Sequence, residues 1–288
     1  MKKIDIICPI YKNIEQITQL YGYIKNQEDV EIVNIVFPLT LSGEEVDKDI
    51  IKFLDENNIK HFEETKETFS HSLTREKAIR EWCTSNIVVL MSQDIIIKDN
   101  LAVSKLVAAL NDEVVYVYGR QICSNKSIEK YIRAKNYPEV GYIVSQDDIE
   151  KMQLKAFFSS DAFSALERNI FIKIGGYQNI NTMMGEDMLY SKFLLDKGYK
   201  KAYVAEAEVE HSHKYTLKQL YQRYYDTGVF HKTVKIFDGY HATSSGKDLA
   251  FYVLGQALKH FDIPVLFRWL PDMMARYLGM RKGKKSVK

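Results

Sequence analysis

The chain has 288 residues, 46% of them hydrophobic, and a formal net charge of +2. That is enough for one large α/β core with a small appendage, and the balanced charge excludes a nucleic-acid binder acting through overall basicity. Three scattered cysteines, Cys8, Cys83 and Cys123, form no C-x-x-C pair, and their odd number argues against a disulfide framework; buried thiols in a reducing cytoplasm are expected.

Asp5 interrupts the N-terminal apolar run, so no signal-peptide core is expected there. No run reaches the roughly 18 apolar residues that span a bilayer, so any membrane contact is expected to be peripheral. Ile4 to Ile10, with Pro9 near its end, predicts a first strand. Asn13 is placed to cap a helix running to about Asn26. Val30 to Phe37 is β-branched and apolar, a second strand. Glu44 to Asn57 has a helical pattern, and Ile59 to Phe62 is a short third strand. Thr74 to Cys83 predicts a helix capped by Ser72 or Thr74. Ile87 to Met91 is wholly apolar and reads as a central strand. Leu101 to Leu110 is helical, and Val114 to Tyr118 is a strand.

After Gly119 the pattern loosens. Gln121 to Gln153 is polar and predicts a helix followed by a mobile loop. Phe163 to Leu166 is a short strand, and Arg168 to Ile174 a helix stopped by Gly175. Glu186 to Lys197 is a helix closed by Gly198, followed by a strand from Tyr199 to Val204. Leu217 to Val229, Leu249 to His260 and Val265 to Leu278 complete the helices. Alternating strands and helices predict an open, mostly parallel, doubly wound sheet, whose ligands bind beyond the carboxyl ends of the strands. The division expected is a domain over 1–230 and a helical extension over 231–288 with a basic tail.

Two strand ends carry candidate chemistry: Pro9-Ile10-Tyr11 and Ser92-Gln93-Asp94. Asp94 is suited to bind Mg²⁺ or Mn²⁺ bridging a donor diphosphate, or to cap the next helix; position alone leaves both open. Asp187, in Gly185-Glu186-Asp187-Met188, is suited to take a proton from an acceptor hydroxyl, with Glu186 holding a loop or the acceptor. Acids at a helix start are also common for the dipole alone. His211 and His213, one residue apart, point to opposite sides of extended chain, so one at most faces a metal, and His211 is preferred. Arg75 near a helix start suits a phosphate, or an ion pair with Glu76 or Glu81. Phe261 to Met280 followed by Arg281 to Lys285 suits an anionic membrane surface, or core packing with a solvated tail.

Together these residues resemble a family 2 glycosyltransferase of GT-A fold over roughly residues 4 to 230. The likeness rests on Cys8-Pro9-Ile10-Tyr11, Thr74-Arg75, Gln93-Asp94, Gly175-Gly176-Tyr177 and Glu186-Asp187. Within the family the chain is most similar to bacterial rhamnosyltransferases of surface-polysaccharide assembly. Tyr118-Gly119-Arg120-Gln121, Arg133 to Pro138 and His211 to Thr216 carry that narrower likeness. The resemblance implies a divalent metal, inversion at the anomeric carbon and dTDP-L-rhamnose as donor. It implies Asp94 as metal ligand, helped by His211, Asp187 as base, and Pro9 and Tyr11 beside the nucleotide. The acceptor expected is a lipid-linked oligosaccharide at the inner face of the cell membrane. The sequence departs from the family at Ser92-Gln93-Asp94, where the first acid of Asp-x-Asp is missing, and at Phe37 to Glu44, where Glu44 or Glu45 is the available acid. A UDP-hexose donor and a non-catalytic subunit bound to a partner enzyme are the rival readings.

Overall fold

The computed structural model describes residues 1–241 and 246–287. The first strands and helices alternate: β1 (Lys2–Ile7), β2 (Ile10–Tyr11), α1 (Ile14–Lys25), β3 (Val30–Thr40), α2 (Val46–Glu56), β4 (Lys60–Glu64), α3 (His71–Lys77), β5 (Ile87–Met91), α4 (Ala102–Ala108) and β6 (Val114–Ile122). Then come α5 (Glu129–Asn136), β7 (Tyr142–Val144), α6 (Ile149–Met152), α7 (Leu154–Phe157), β8 (Phe163–Glu167), α8 (Arg168–Lys173), α9 (Glu186–Asp196) and β9 (Lys200–Glu210). The chain ends in α10 (Leu217–Thr233), α11 (Gly246–Lys259) and α12 (Ile263–Ser286).

The sheet runs in the order β2-β3-β1-β5-β8-β6-β9-β7, with β4 beside β3. β1, β3, β4 and β5 pair in parallel, as the strand–helix alternation predicts. β8 runs antiparallel between β5 and β6. The result is a mixed sheet flanked by helices. Ile4, Ile6, Val89 and Leu90 in its middle strands are fully buried, as their apolar runs require.

Several elements differ from the sequence expectation. α3 starts at His71, and its cap is Ser70, whose hydroxyl accepts the Leu73 N–H at 3.0 Å. Ser72 instead reaches forward and donates to the Ile180 carbonyl at 2.7 Å. The segment expected to be a helix and loop also holds β7, which pairs with β9. β9 runs on to Glu210, so His211 stands directly at a strand end. α12 continues to Ser286, so Arg281, Lys282, Lys284 and Lys285 lie on a helix; Lys288 lies outside the described residues.

The chain forms two compact units. One comprises Met1–Gln121, Glu139–Asp148 and Phe157–His211; the other comprises Ile122–Pro138, Ile149–Ala156 and Ser212 to the C-terminus. The second has its own small apolar core of Ile128, Tyr131, Ile132, Val253, Ala257 and Val265. Its helices α10 and α12 pack backbone to backbone. A Cβ on Gly279 would lie 2.4 Å from the Tyr221 carbonyl oxygen, and one on Gly283 would lie 2.0 Å from that of Tyr225. Beside this seam, buried Arg276 joins three helices. It donates to Asp272 at 2.8 Å, to the Tyr224 hydroxyl at 2.6 Å, and to Glu129. Gly279→Leu is therefore expected to lower stability by about 1–3 kcal/mol through overpacking. Thermal unfolding checks this, and an unchanged melting temperature would contradict the close approach.

Candidate active site

Gly185 takes a left-handed conformation, φ 77°, and ends the loop before α9. The first two helical residues are then Glu186 and Asp187, at the positive end of the helix dipole. The two acids have different fates. Glu186 is buried and receives Arg75 Nη1 at 2.5 Å. Burial raises the Glu186 pKa, and the Arg75 charge opposes that rise without cancelling it. Asp187 stays partly exposed, and its carboxylate accepts the Met188 N–H at 2.7 Å. Desolvation, then the neighbouring charges of Glu186 and Asp161, hold its pKa well above the ordinary carboxylate value.

Arg75 is only 3% exposed. Its partner is Glu186, across 111 residues of sequence, rather than Glu76, Glu81 or an open anion site. Burial alone would lower its pKa, but Glu186 and Asp161 raise it. Its second nitrogen donates to the Asp161 carbonyl at 3.4 Å. Glu76 points elsewhere, accepting Arg80 and the Tyr177 N–H. It thereby fixes the Gly175-Gly176-Tyr177 turn, where a Cβ on Gly176 would sit 2.7 Å from the Glu76 carboxylate.

Asp161 is the residue that sequence reasoning missed. Its carboxylate accepts the Tyr116 hydroxyl at 2.6 Å, the Ser164 hydroxyl at 2.7 Å and the Tyr177 hydroxyl at 3.0 Å. Every donor but Ser164 is remote in sequence, so no local pattern marks it. Lys201, also missed, is buried on β9. Its ammonium donates to the Phe158 carbonyl at 2.6 Å and to Ser191 on α9 at 3.2 Å. Burial lowers its pKa well below the usual value, and the Asp187 charge works against that shift.

At the β5 end, Asp94 and His211 meet. Ile96 and Glu210 exchange backbone hydrogen bonds at 2.8 and 2.9 Å, which clamps the loop carrying Asp94 to the end of β9. His211 Nε2 lies 3.2 Å from Asp94 Oδ1. Its Nδ1 lies 2.8 Å from Gln121 Oε1. With Nδ1 donating to that amide oxygen, Nε2 carries a lone pair. An imidazole nitrogen and a carboxylate oxygen at this spacing fit adjacent ligand positions on one divalent cation. His213 belongs to the second unit, where its carbonyl accepts Asn125 and its ring packs on Tyr215.

Pro9, Tyr11 and Gln93 form a neighbouring edge. Gln93 accepts the Tyr11 N–H at 2.7 Å and donates to the Tyr11 carbonyl at 3.2 Å, joining the two predicted strand ends. The Tyr11 ring is 39% exposed, with the Lys12 and Lys66 ammonium groups each 5.6 Å from its centre. Pro9 is half-buried between β1 and β2. Glu44 pairs with Lys12, and Glu45 pairs with Lys48. The turn after β3 is held by Asp47, which accepts Ser42 Oγ and the Ser42 and Gly43 N–H groups.

No protein-family model matches the chain. It is 30% identical over 294 residues to the O-antigen chain rhamnosyltransferase RfbN of Salmonella typhimurium, covering 98% of this chain and 90% of that protein. It is 35% identical over 225 residues to the O-antigen chain rhamnosyltransferase WbaN of Salmonella anatum, covering 75% and 70%. Among solved structures it is similar to the mannosyltransferase PcManGT of Pyrobaculum calidifontis in complex with GDP-Man and Mn²⁺. The TM-score is 0.64 at 13% identity, over 99% of this chain and 88% of that one. Glucosyl-3-phosphoglycerate synthase of Mycobacterium tuberculosis, in complex with Mn²⁺, UDP and glucosyl-3-phosphoglycerate, gives 0.54 at 12% identity over 85% and 82%. The fold is that of the GT-A glycosyltransferases. The sequence is more specific: the chain belongs to the family of O-antigen chain rhamnosyltransferases.

Replacing Arg75 by Met is expected to cost about 3–5 kcal/mol at pH 8, because it strands Glu186 in a buried site. The raised Glu186 pKa makes the loss smaller at pH 5, where that carboxyl takes a proton and needs no partner. Urea unfolding at the two pH values measures this. Equal losses would contradict the pairing.

Proposed function

We propose that the protein is an inverting rhamnosyltransferase that moves L-rhamnose from dTDP-L-rhamnose to a lipid-linked oligosaccharide. The observation that carries this reading is the split of the acid pair. Arg75 claims Glu186, leaving Asp187 as the partly exposed carboxylate with a raised pKa. A base of that kind removes a proton effectively near neutral pH.

Asp187 takes the proton from the acceptor hydroxyl. The hydroxyl oxygen bonds to the anomeric carbon as the bond from that carbon to the diphosphate oxygen breaks, and the configuration inverts. Glu186 and Arg75 hold the helix start in place. Asp94 and His211 are the residues that would hold Mg²⁺ or Mn²⁺, which when bound neutralises charge on the departing diphosphate. Pro9, Tyr11 and Gln93 form the edge proposed for the nucleotide, and Gly185 lets the chain turn into the acid pair.

The test is a donor panel of dTDP-L-rhamnose and UDP-hexoses, with and without EDTA, read by released nucleoside diphosphate. Asp187→Asn is expected to lose about 10²–10⁴-fold in transfer while retaining donor binding. Normal turnover by this variant would overturn the base assignment. Donor binding that survives both EDTA and Asp94→Ala would overturn the metal role, and preference for a UDP-hexose would overturn the donor.

Such an acceptor lies at a membrane, and we propose that α12 contacts it peripherally. Among the described residues no helix is long and apolar enough to cross a membrane. Ile263, Phe267, Leu270, Met274 and Tyr277 recur at helical spacing and are all exposed, Phe267 at 82%. Arg281 and Lys285 continue that stripe, which suits an anionic bilayer. The protein is expected to sediment with phosphatidylglycerol vesicles and not with phosphatidylcholine alone. Phe267→Glu combined with Leu270→Glu should abolish this, and retained binding would place the contact elsewhere.

A further inference from the structure

The second unit contains a cavity of about 600 Å³ that the transfer site does not use. That volume falls within the roughly 300–1,000 Å³ of small-ligand pockets. Its walls come from the loop before α5, the segment after His211 and the first turns of α12. Lys126, Lys214 and Arg268 line it, together with Ser124, Asn125 and Ser127.

The charge balance is uneven. Two acids, Glu129 and Asp272, also line the cavity, but both accept hydrogen bonds from buried Arg276. That guanidinium neutralises them from behind, and Arg268 adds a longer contact to Asp272 at 3.6 Å. Lys126 and Lys214 make no ion pair among the described residues, and both are exposed. Three cations therefore line the cavity beside two acids that Arg276 already offsets, which favours an anionic occupant.

The walls are also fixed in place. Arg268 donates to the Tyr215 carbonyl at 2.7 Å, and Asn125 donates to the His213 carbonyl at 2.8 Å. Asn125 in turn accepts the Ser127 N–H at 3.0 Å, and Ser127 accepts the Glu129 N–H at 3.2 Å. These contacts tie the α5 loop and the start of α12 to the segment that carries Lys214. Lys214 itself lies three residues after His211 in the chain. A pre-positioned guanidinium with two exposed ammonium groups and hydroxyls is a donor set suited to phosphate oxygens.

We infer that this cavity binds the diphosphate of a lipid-linked sugar acceptor. The inference rests on the rhamnosyl-transfer reading and names the acceptor's anionic part. The exposed apolar residues Phe261, Ile263 and Phe267 stand at the same end of α12 as Pro264 and Arg268 of the cavity wall. An apolar surface beside a cationic pocket matches an amphiphile whose head is a diphosphate and whose tail is a hydrocarbon.

The probe is geranyl diphosphate, titrated by calorimetry against the full chain, with dTDP and phosphatidylglycerol vesicles as parallel arms. Lys126→Ala combined with Lys214→Ala removes two exposed charges and breaks no ion pair among the described residues. It is expected to weaken geranyl diphosphate binding at least about tenfold, since each lost charged hydrogen bond is worth about that factor. Arg268→Lys, which keeps the charge and loses the fork, is expected to weaken it less. Unchanged affinity in the double variant overturns the inference. Loss of vesicle binding with geranyl diphosphate binding intact also overturns it, assigning the lysines to phospholipid headgroups. Equal weakening of dTDP overturns it as well, assigning them to the donor. Hydrolysis of dTDP-L-rhamnose by the unaltered protein, with water as rhamnosyl acceptor and dTDP released, tests the donor reading separately. Lysine-dependent diphosphate binding without any hydrolysis would sink that reading and leave the cavity standing.

Discussion

Burying Glu186 and Arg75 against each other commits both charges and decides what the next residue can do. The contact is 2.5 Å long, both side chains are nearly inaccessible, and it links α3 to the first turn of α9. Such a pair contributes little net stability, because desolvation consumes most of the Coulomb gain. Its effect is on placement. With Glu186 held inward at the start of the helix, Asp187 is the acid left partly exposed. Asp161 lies beneath, itself fixed by three hydroxyls, and keeps the local field negative. Desolvation raises the Asp187 pKa, and this negative field adds to the rise.

Other features support this arrangement from a distance. Glu76 clamps the Gly175-Gly176-Tyr177 turn, which brings the Tyr177 hydroxyl to Asp161. Lys201 anchors α9 from the β9 side through Ser191. The Ile96–Glu210 bridge brings Asp94 to His211, so a single carboxylate at the β5 end gains a nitrogen partner. On the proposed metal reading, that pairing would offset the missing first acid at Ser92, with the second donor coming from the end of β9. The second unit has a comparable centre in Arg276, which gathers α5, α10 and α12 around one buried guanidinium.

Much of this was legible in the sequence where the signal is local. The short, β-branched apolar run Ile87 to Met91 forms the buried strand it predicts, and Asn13 caps α1 as its position predicts, accepting the Gln16 N–H at 3.2 Å. The acid pair, Asp94 and His211 stand out by residue type at element ends. What was hidden is long-range. Arg75 looked like an anion ligand because its partner lies 111 residues away. Asp161 and Lys201 carry no neighbouring pattern and gain meaning only through Tyr116, Tyr177 and Ser191. β7 is three residues long with an exposed Ile143 at its centre, too short to show alternation. The reach of α12 past Leu278 was obscured by Gly279 and Gly283, residues of low helix propensity that serve the close seam with α10.

Asp187 is proposed as the base, its pKa raised by desolvation first and then by the charges of Glu186 and Asp161. The most direct measurement is the pH dependence of kcat/KM for transfer, in the unaltered protein and in Glu186→Gln. The unaltered enzyme should gain activity with rising pH, with an inflection above the ordinary carboxylate range, because a raised pKa keeps the base protonated at lower pH. Removing the Glu186 charge should move that inflection to lower pH. An inflection that stays in place, or moves upward, would contradict the account.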